Sequence, residues 1–336
     1  MAEQSYHIEP VTSANAAAVA VVFRSIYGDD FPVPYVYDVG QLLREIDSGR
    51  LAASLAFDRD DAPAGYVAAF KCAPNPRLWE GGNLVVVPAH GQGNLAWLLL
   101  RHYLQPGRLP GPVGDGIFCE SVCHHYFTQL GCSKAGFFDC ALGLDQLDAA
   151  SFREHRPQSS RVACLLQFVE QRDPDQPFHL PARYAETLRA LLAPLRPRSF
   201  LPATAPLPDS GATVQQDNYY ASAATWRISV SAIGADWPAQ LAKVLDRARQ
   251  RQVISLQLIM SAALPCLDAA IEEMRQQGFF FGGVFPRWFG ADGILLQQVL
   301  GREPDLDEIK LYTTTAKDLL CRLRDDRDRP AAPGQA

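Results

Sequence analysis

Residues 85–104 read VVVPAHGQGNLAWLLLRHYL. A β-branched run stops at Pro88, a loop with Gly91 and Gly93 follows, and apolar residues then recur at helical spacing from Leu95 to Leu104. The pattern commits this part of the chain to a strand that feeds a helix through a short turn. Such a turn leaves backbone N–H groups free at a helix N-terminus. Together with the helix dipole they favour an anion such as a pyrophosphate. Glycine permits the close approach this requires. Glycines also occur in strand-to-helix turns that only pack, so the loop alone does not choose between the two. A strict dinucleotide fingerprint is not met, because position 96 is Ala and Asp115 precedes the next strand instead of ending it. The Gly-Lys-Ser/Thr of a P-loop is missing as well.

Around this unit the periodicity predicts a strand at 6–11 and a helix at 14–27 with Val19, Val22, Phe23 and Ile26 on one face. The aromatic, proline-rich loop YGDDFPVPYVYD spans 27–38, and a short helix follows at 39–48. Strands at 51–57 and 64–72 flank the turn DRDDAP as a hairpin. Further strands are predicted at 83–87, 116–121, 136–144 and 161–169, with a helix at 123–135. The alternation, with an antiparallel hairpin near the start, indicates a mixed α/β fold (α+β), not an all-parallel doubly wound sheet.

With 336 residues the chain is long for one compact domain. Residues 171–215 are dense in proline around a helix at 182–193 and read as a connection. Residues 216–323 resume as β-α-β-α-β-β, which suggests an internal repeat of the strand and helix order at 83–144. The expected organisation is therefore 1–170, the connection 171–215, a second domain 216–323 and a disordered tail 324–336. The aromatic group Phe279, Phe280, Phe281, Phe285, Trp288 and Phe289 reads as core and hairpin packing.

A net charge of −6 and a pI near 5.7 argue against a nucleic-acid partner. No apolar run approaches membrane-spanning length, and MAEQSYHIEP has neither the basic start nor the apolar core of a secretory signal. The expectation is a soluble, cytoplasmic protein without a membrane partner, its 8 cysteines reduced. Cys119, Cys123, His124 and His125 lie close together, but their spacing completes no familiar zinc pattern, and no metal is assigned.

The string LVVVPAHGQGNLAWLLLRHYL resembles the acetyl-coenzyme A signature of the GNAT-type N-acetyltransferase superfamily. His90 stands where that family has Arg or Gln, and Leu95 at the last small residue of the loop. SVCHHYFTQLGCSKAGF (121–137) is similar to the later strand-helix segment ending in a Gly-Phe pair. QQGFFFGGVFPRWFGADGILLQQVL is similar to the last helix and closing hairpin of the same fold. The resemblance implies two GNAT-like domains, each a mixed, mostly antiparallel sheet flanked by helices. The second lacks the glycine loop and is expected to be degenerate.

What the resemblance implies is transfer of an acetyl group from acetyl-CoA to an amine of a small-molecule or protein acceptor. Val85, Val86 and Val87 would hold the cofactor along a strand. His90, Gly91, Gln92, Gly93, Asn94, Leu95 and Ala96 would form the phosphate loop. Glu80, expected just before the strand, and Glu120 are candidate bases. Cys132 occupies the family's usual Tyr position, which leaves Tyr126 or His124 as candidate acids. Phe31, Tyr35 and Tyr37 are candidates for an acceptor pocket. Two other readings stay open here: a catalytically inactive acetyl-CoA or CoA sensor or scaffold, and a phosphate- or nucleotide-binding regulator that shares only the loop.

Overall fold

The computed structural model describes residues 5–329 apart from 30, 32, 106, 112 and 153–158. The first half runs β1 (His7–Pro10), α1 (Ala17–Tyr27), α2 (Val39–Asp47), β2 (Leu51–Phe57), β3 (Pro63–Phe70), β4 (Leu78–Val86), α3 (Leu95–His102), β5 (Gly116–Val122), α4 (Phe127–Lys134), β6 (Phe138–Asp148) and β7 (Arg161–Glu170). The connection contains β8 (Phe178–Leu180), α5 (Ala185–Leu192) and β9 (Phe200–Pro202). The second half runs β10 (Val214–Tyr220), β11 (Thr225–Ala232), α6 (Trp237–Gln250), β12 (Ser255–Ser261), α7 (Leu267–Gln276), β13 (Phe280–Phe285), β14 (Gly293–Val299) and α8 (Thr314–Asp328). The mixed α/β, mostly antiparallel architecture expected from the sequence is present.

Twelve strands form one sheet in the order β1-β2-β3-β4-β5-β7-β6-β13-β14-β12-β11-β10. Every pairing in it is antiparallel except β4–β5 and β11–β12. The order β3-β4-β5-β7-β6 of the first half recurs as β10-β11-β12-β14-β13 in the second, and α6 and α7 repeat the positions of α3 and α4. The halves meet where Gly283 of β13 pairs with Ala141 of β6. Gly283 has φ +126, and a Cβ there would lie 2.4 Å from Cys140 O, so only glycine lets the strands approach.

Beyond that point the second sheet lies against β6. Gln297 Nε2 donates to Leu142 O, Ser255 Oγ to Leu144 O and Thr225 Oγ1 to Gln146 O, at 2.7–2.8 Å. Helices α1 and α2 cover one apolar cluster of the first half, α3 and α4 a second, and the third is shared by both halves. The connection packs into this shared core through Phe178, Tyr184, Leu188, Leu191 and Leu192. Phe279, Phe280, Phe281, Phe285 and Trp288 are buried there too.

Three expectations need correction. β4 begins at Leu78, five residues before the predicted strand, because Gly81, Gly82 and Asn83 hide its start. β10, polar and exposed along most of its length, is a sheet edge where no strand was expected. Residues 324–328 are helical, not a disordered tail: Asp326 is buried and accepts from Arg275 Nη1, Tyr184 Oη and the Phe281 amide. The rest of the expected tail, 330–336, lies outside the described residues. Among the described residues no helix is long and apolar enough to cross a membrane.

Candidate active site

β4 and β5 pair in parallel over three residues only, Leu78–Glu80 against Gly116–Phe118. They then part. The parting coincides with a bulge in β4, where Asn83 and Leu84 lie opposite Val67 alone and Asn83 adopts φ +50. Asparagine is among the few residues other than glycine that tolerate this conformation. The corresponding strands of the second half, β11 and β12, stay paired over six residues.

Glu80 sits at the apex of the opening, inside β4, not in the preceding loop. It accepts from Cys72 Sγ at 2.9 Å. Burial, and next the Glu120 charge, push its carboxyl up to about 8. Glu120, on β5, pairs with Arg227 Nη2 of β11 at 2.6 Å. Two carboxylates that lie forty positions apart in sequence thus share one partly buried cluster with a single guanidinium. Sequence reasoning did not find Cys72 or Arg227, since the partners of Arg227 are remote in sequence.

Tyr35 reaches the same strand. Its hydroxyl accepts from Asn83 Nδ2 at 3.0 Å, and burial pushes it up to about 12. Tyr37 and Phe31 instead hold their own loop: Tyr37 Oη donates to Gly28 O and accepts from the Phe31 amide, while the Phe31 ring packs on Phe23 and Tyr27. Val85 and Val87 pack toward α1 and α2, and Val86 toward α3 and α4.

The loop after β4 is exposed from Gly91 to Asn94. The Gly91 and Gly93 amides, expected to face an anion, close turns onto Pro88 O and His90 O. The amides of Gln92, Asn94, Leu95 and Ala96 have no hydrogen-bond partner among the described residues, and the Asn94 side chain does not cap α3. Gly91 has φ −65, and a Cβ there would meet only Pro88 O at 3.4 Å, so the fold itself does not demand glycine. His90 turns away: Nδ1 lies 3.2 Å from Tyr6 Oη and Nε2 3.6 Å from Asp58. In the second half the loop after β11 is filled by its own chain, with Gly234 N donating to Thr213 Oγ1 and the Asp236 carboxylate accepting from the Thr213 amide.

Tyr126 is exposed, its ring near those of Phe127 and Tyr312. His124 lines a different cavity, with Asp145, Arg161 and Lys310. Neither is brought to the Glu80 cluster. Cys132 is buried between α4 and β5, 3.9 Å from Ser121 Oγ. Cys119 and Cys123 enter different apolar clusters.

No protein-family model matches the chain, and no curated protein matches it. Solved structures do. A GNAT-superfamily phosphinothricin acetyltransferase from Sinorhizobium meliloti, in complex with AcCoA, is 14% identical over 48% of this chain and 86% of its own, with a TM-score of 0.38. The ribosomal-protein-S18-alanine N-acetyltransferase from Escherichia coli is 11% identical over 52% of this chain and 100% of its own, with a TM-score of 0.38. The chain is similar to GNAT-family N-acetyltransferases over about half its length.

Proposed function

We propose that the first half transfers an acetyl group from acetyl-CoA to an amine. The observation that carries this reading is the build of one strand. β4 parts from its parallel neighbour at a carboxyl group held near pH 8, and it ends in a loop with open amides at a helix N-terminus. The Gln92, Asn94, Leu95 and Ala96 amides suit a pyrophosphate, and a glycine that the backbone does not need leaves room for its approach.

Bound acetyl-CoA would supply an activated acyl carbon: as the amine nitrogen forms the new C–N bond the thioester C–S bond breaks, and coenzyme A leaves as a thiolate that takes its proton from solvent. Glu80 accepts the proton of the attacking amine, and a proton acceptor that ionises near the working pH is well matched to that task. Cys72 Sγ–H orients its Oε2. Glu120 is held by Arg227 in the same opening, and with Glu80 ionised the cluster carries one net negative charge, which favours an ammonium-bearing acceptor. Tyr35, tied to the bulge, is the loop aromatic placed to line the acceptor side.

Thiol release from acetyl-CoA, measured across a panel of small amines and peptide N-termini, tests the reading. Turnover in the wild type that is lost in Glu80→Gln supports it. Binding of acetyl-CoA without turnover on any amine points to a sensor instead.

A further inference from the structure

Arg227 lies within β11, opposite Gln257 of β12, and its side chain is 2% exposed. Nη2 donates to Glu120 Oε1 at 2.6 Å and Nε to Gln257 Oε1 at 2.8 Å. The guanidinium carbon stands 5.3 Å from the Phe285 ring centre and 5.7 Å from that of Trp288. Trp288 is fixed in turn by Ser229 Oγ at 2.8 Å and by an edge contact with Phe118 of β5. The second half thus presents one rigid cation to the opening in the first.

The groups facing Glu80 are Cys72 from the β3–β4 connection, Glu120 and Cys119 from β5, Cys164 from β7, Arg227 from β11, Tyr35 from the loop before α2 and Tyr220 at the end of β10. Tyr220 acts on Arg227, Cys72 and both carboxyl groups. One guanidinium serves two carboxyl groups. With Glu80 protonated the cluster is neutral, and with Glu80 ionised it carries one net negative charge. A bridge that served only to join the halves would need one carboxylate, not a second beside it.

We propose that Arg227, carried by the second half, is a positioning residue for the site on the first half: its guanidinium holds the Glu120 carboxylate in place on the strand that faces Glu80, and so fixes the charges that Glu80 meets. This rests on the assignment of Glu80 as the proton acceptor. Two substitutions must then move Glu80 in opposite directions. Without Arg227, ionising both carboxyl groups leaves two uncompensated charges, and Glu80 holds its proton more tightly. Without the Glu120 charge, Arg227 is left to Glu80 alone, and the proton is released more easily.

The test is a pH titration of the full-length chain labelled with carbon-13 at glutamate carboxyls, with the Glu80 signal assigned by its loss in Glu80→Gln. The Glu80 midpoint is expected to rise by about one unit or more in Arg227→Gln and to fall by about one unit or more in Glu120→Gln. Arg227→Lys, which keeps the charge, is expected to stay near the wild type. An unmoved midpoint in Arg227→Gln, a Lys variant that shifts as far as the Gln variant, or a rise in Glu120→Gln overturns the proposal. If Arg227→Gln fails to fold, the Lys and Glu120 variants decide. The titration uses no acetyl-CoA. Failure to bind or transfer therefore overturns the proposed reaction alone, and transfer with unmoved midpoints overturns this inference alone.

Discussion

Replacing Glu80 with glutamine is expected to stabilise the fold at alkaline pH while removing the proton acceptor. In the unfolded chain this carboxyl ionises near 4.5, but in the fold burial and Glu120 hold it at about 8. Between those values the unfolded chain has released a proton that the folded chain keeps. Stability therefore falls as pH rises. The contribution is fully present below the unfolded value and lost as pH passes the folded one. At about 1.4 kcal/mol per pH unit the whole interval amounts to at most about 5 kcal/mol. Glutamine keeps the shape and still accepts from Cys72 Sγ, but it has nothing to ionise. Urea unfolding of both proteins, followed by tryptophan fluorescence from about pH 5 to about pH 8.5, reads the difference directly. The variant should match the wild type at the acid end and gain stability steadily toward the alkaline end. A difference that does not change with pH, or a variant that loses ground as pH rises, would refute the claim that the fold keeps this carboxyl protonated.

Other perturbations follow from the same packing. Gly116→Ala places a Cβ 2.4 Å from the Phe168 ring and 2.7 Å from Val169 O, and should lower stability by roughly 1–3 kcal/mol in thermal unfolding. Arg198→Met leaves Glu170 and Asp292 without the buried guanidinium that bridges them, with an expected loss of about 3–5 kcal/mol in urea unfolding. Because Glu80 must be ionised to accept a proton, thiol release should rise with pH through about 8, and a rate that falls over that range would contradict the assignment.

Much of the fold was legible because periodicity is a local signal. Val19, Val22 and Phe23 mark the buried face of α1, and all three are fully buried. The start of β4 was not legible, since Gly81, Gly82 and Asn83 are poor strand formers and Asn83 enters a bulge here. β10 escaped notice because an exposed edge strand needs no apolar alternation. At the site, Glu80 could be named from its place just before a predicted strand and Glu120 from its place on one, but their shared cluster could not. Arg227 pairs with a residue 107 positions away, and a single sequence carries no trace of that contact. The strand-loop-helix order was legible; of the amides named in the loop, those of Gln92, Asn94 and Leu95 stay open, while those of Gly91 and Gly93 close turns. Which amides stay open depends on the turns closed by Gly91 and Gly93 and on the contacts that draw His90 aside.

The most direct test of the central claim is calorimetric titration of acetyl-CoA into the wild type and into Gly91→Glu. Gly91 lies in ordinary helical backbone, and a Cβ there would make only a van der Waals contact with Pro88 O at 3.4 Å, so the variant should fold normally. Its carboxylate would stand among the amides offered to the pyrophosphate and repel it. One acetyl-CoA bound per wild-type chain, with binding lost in Gly91→Glu, is the expected result. A wild type that does not bind acetyl-CoA, or a variant that binds it equally well, would contradict the account.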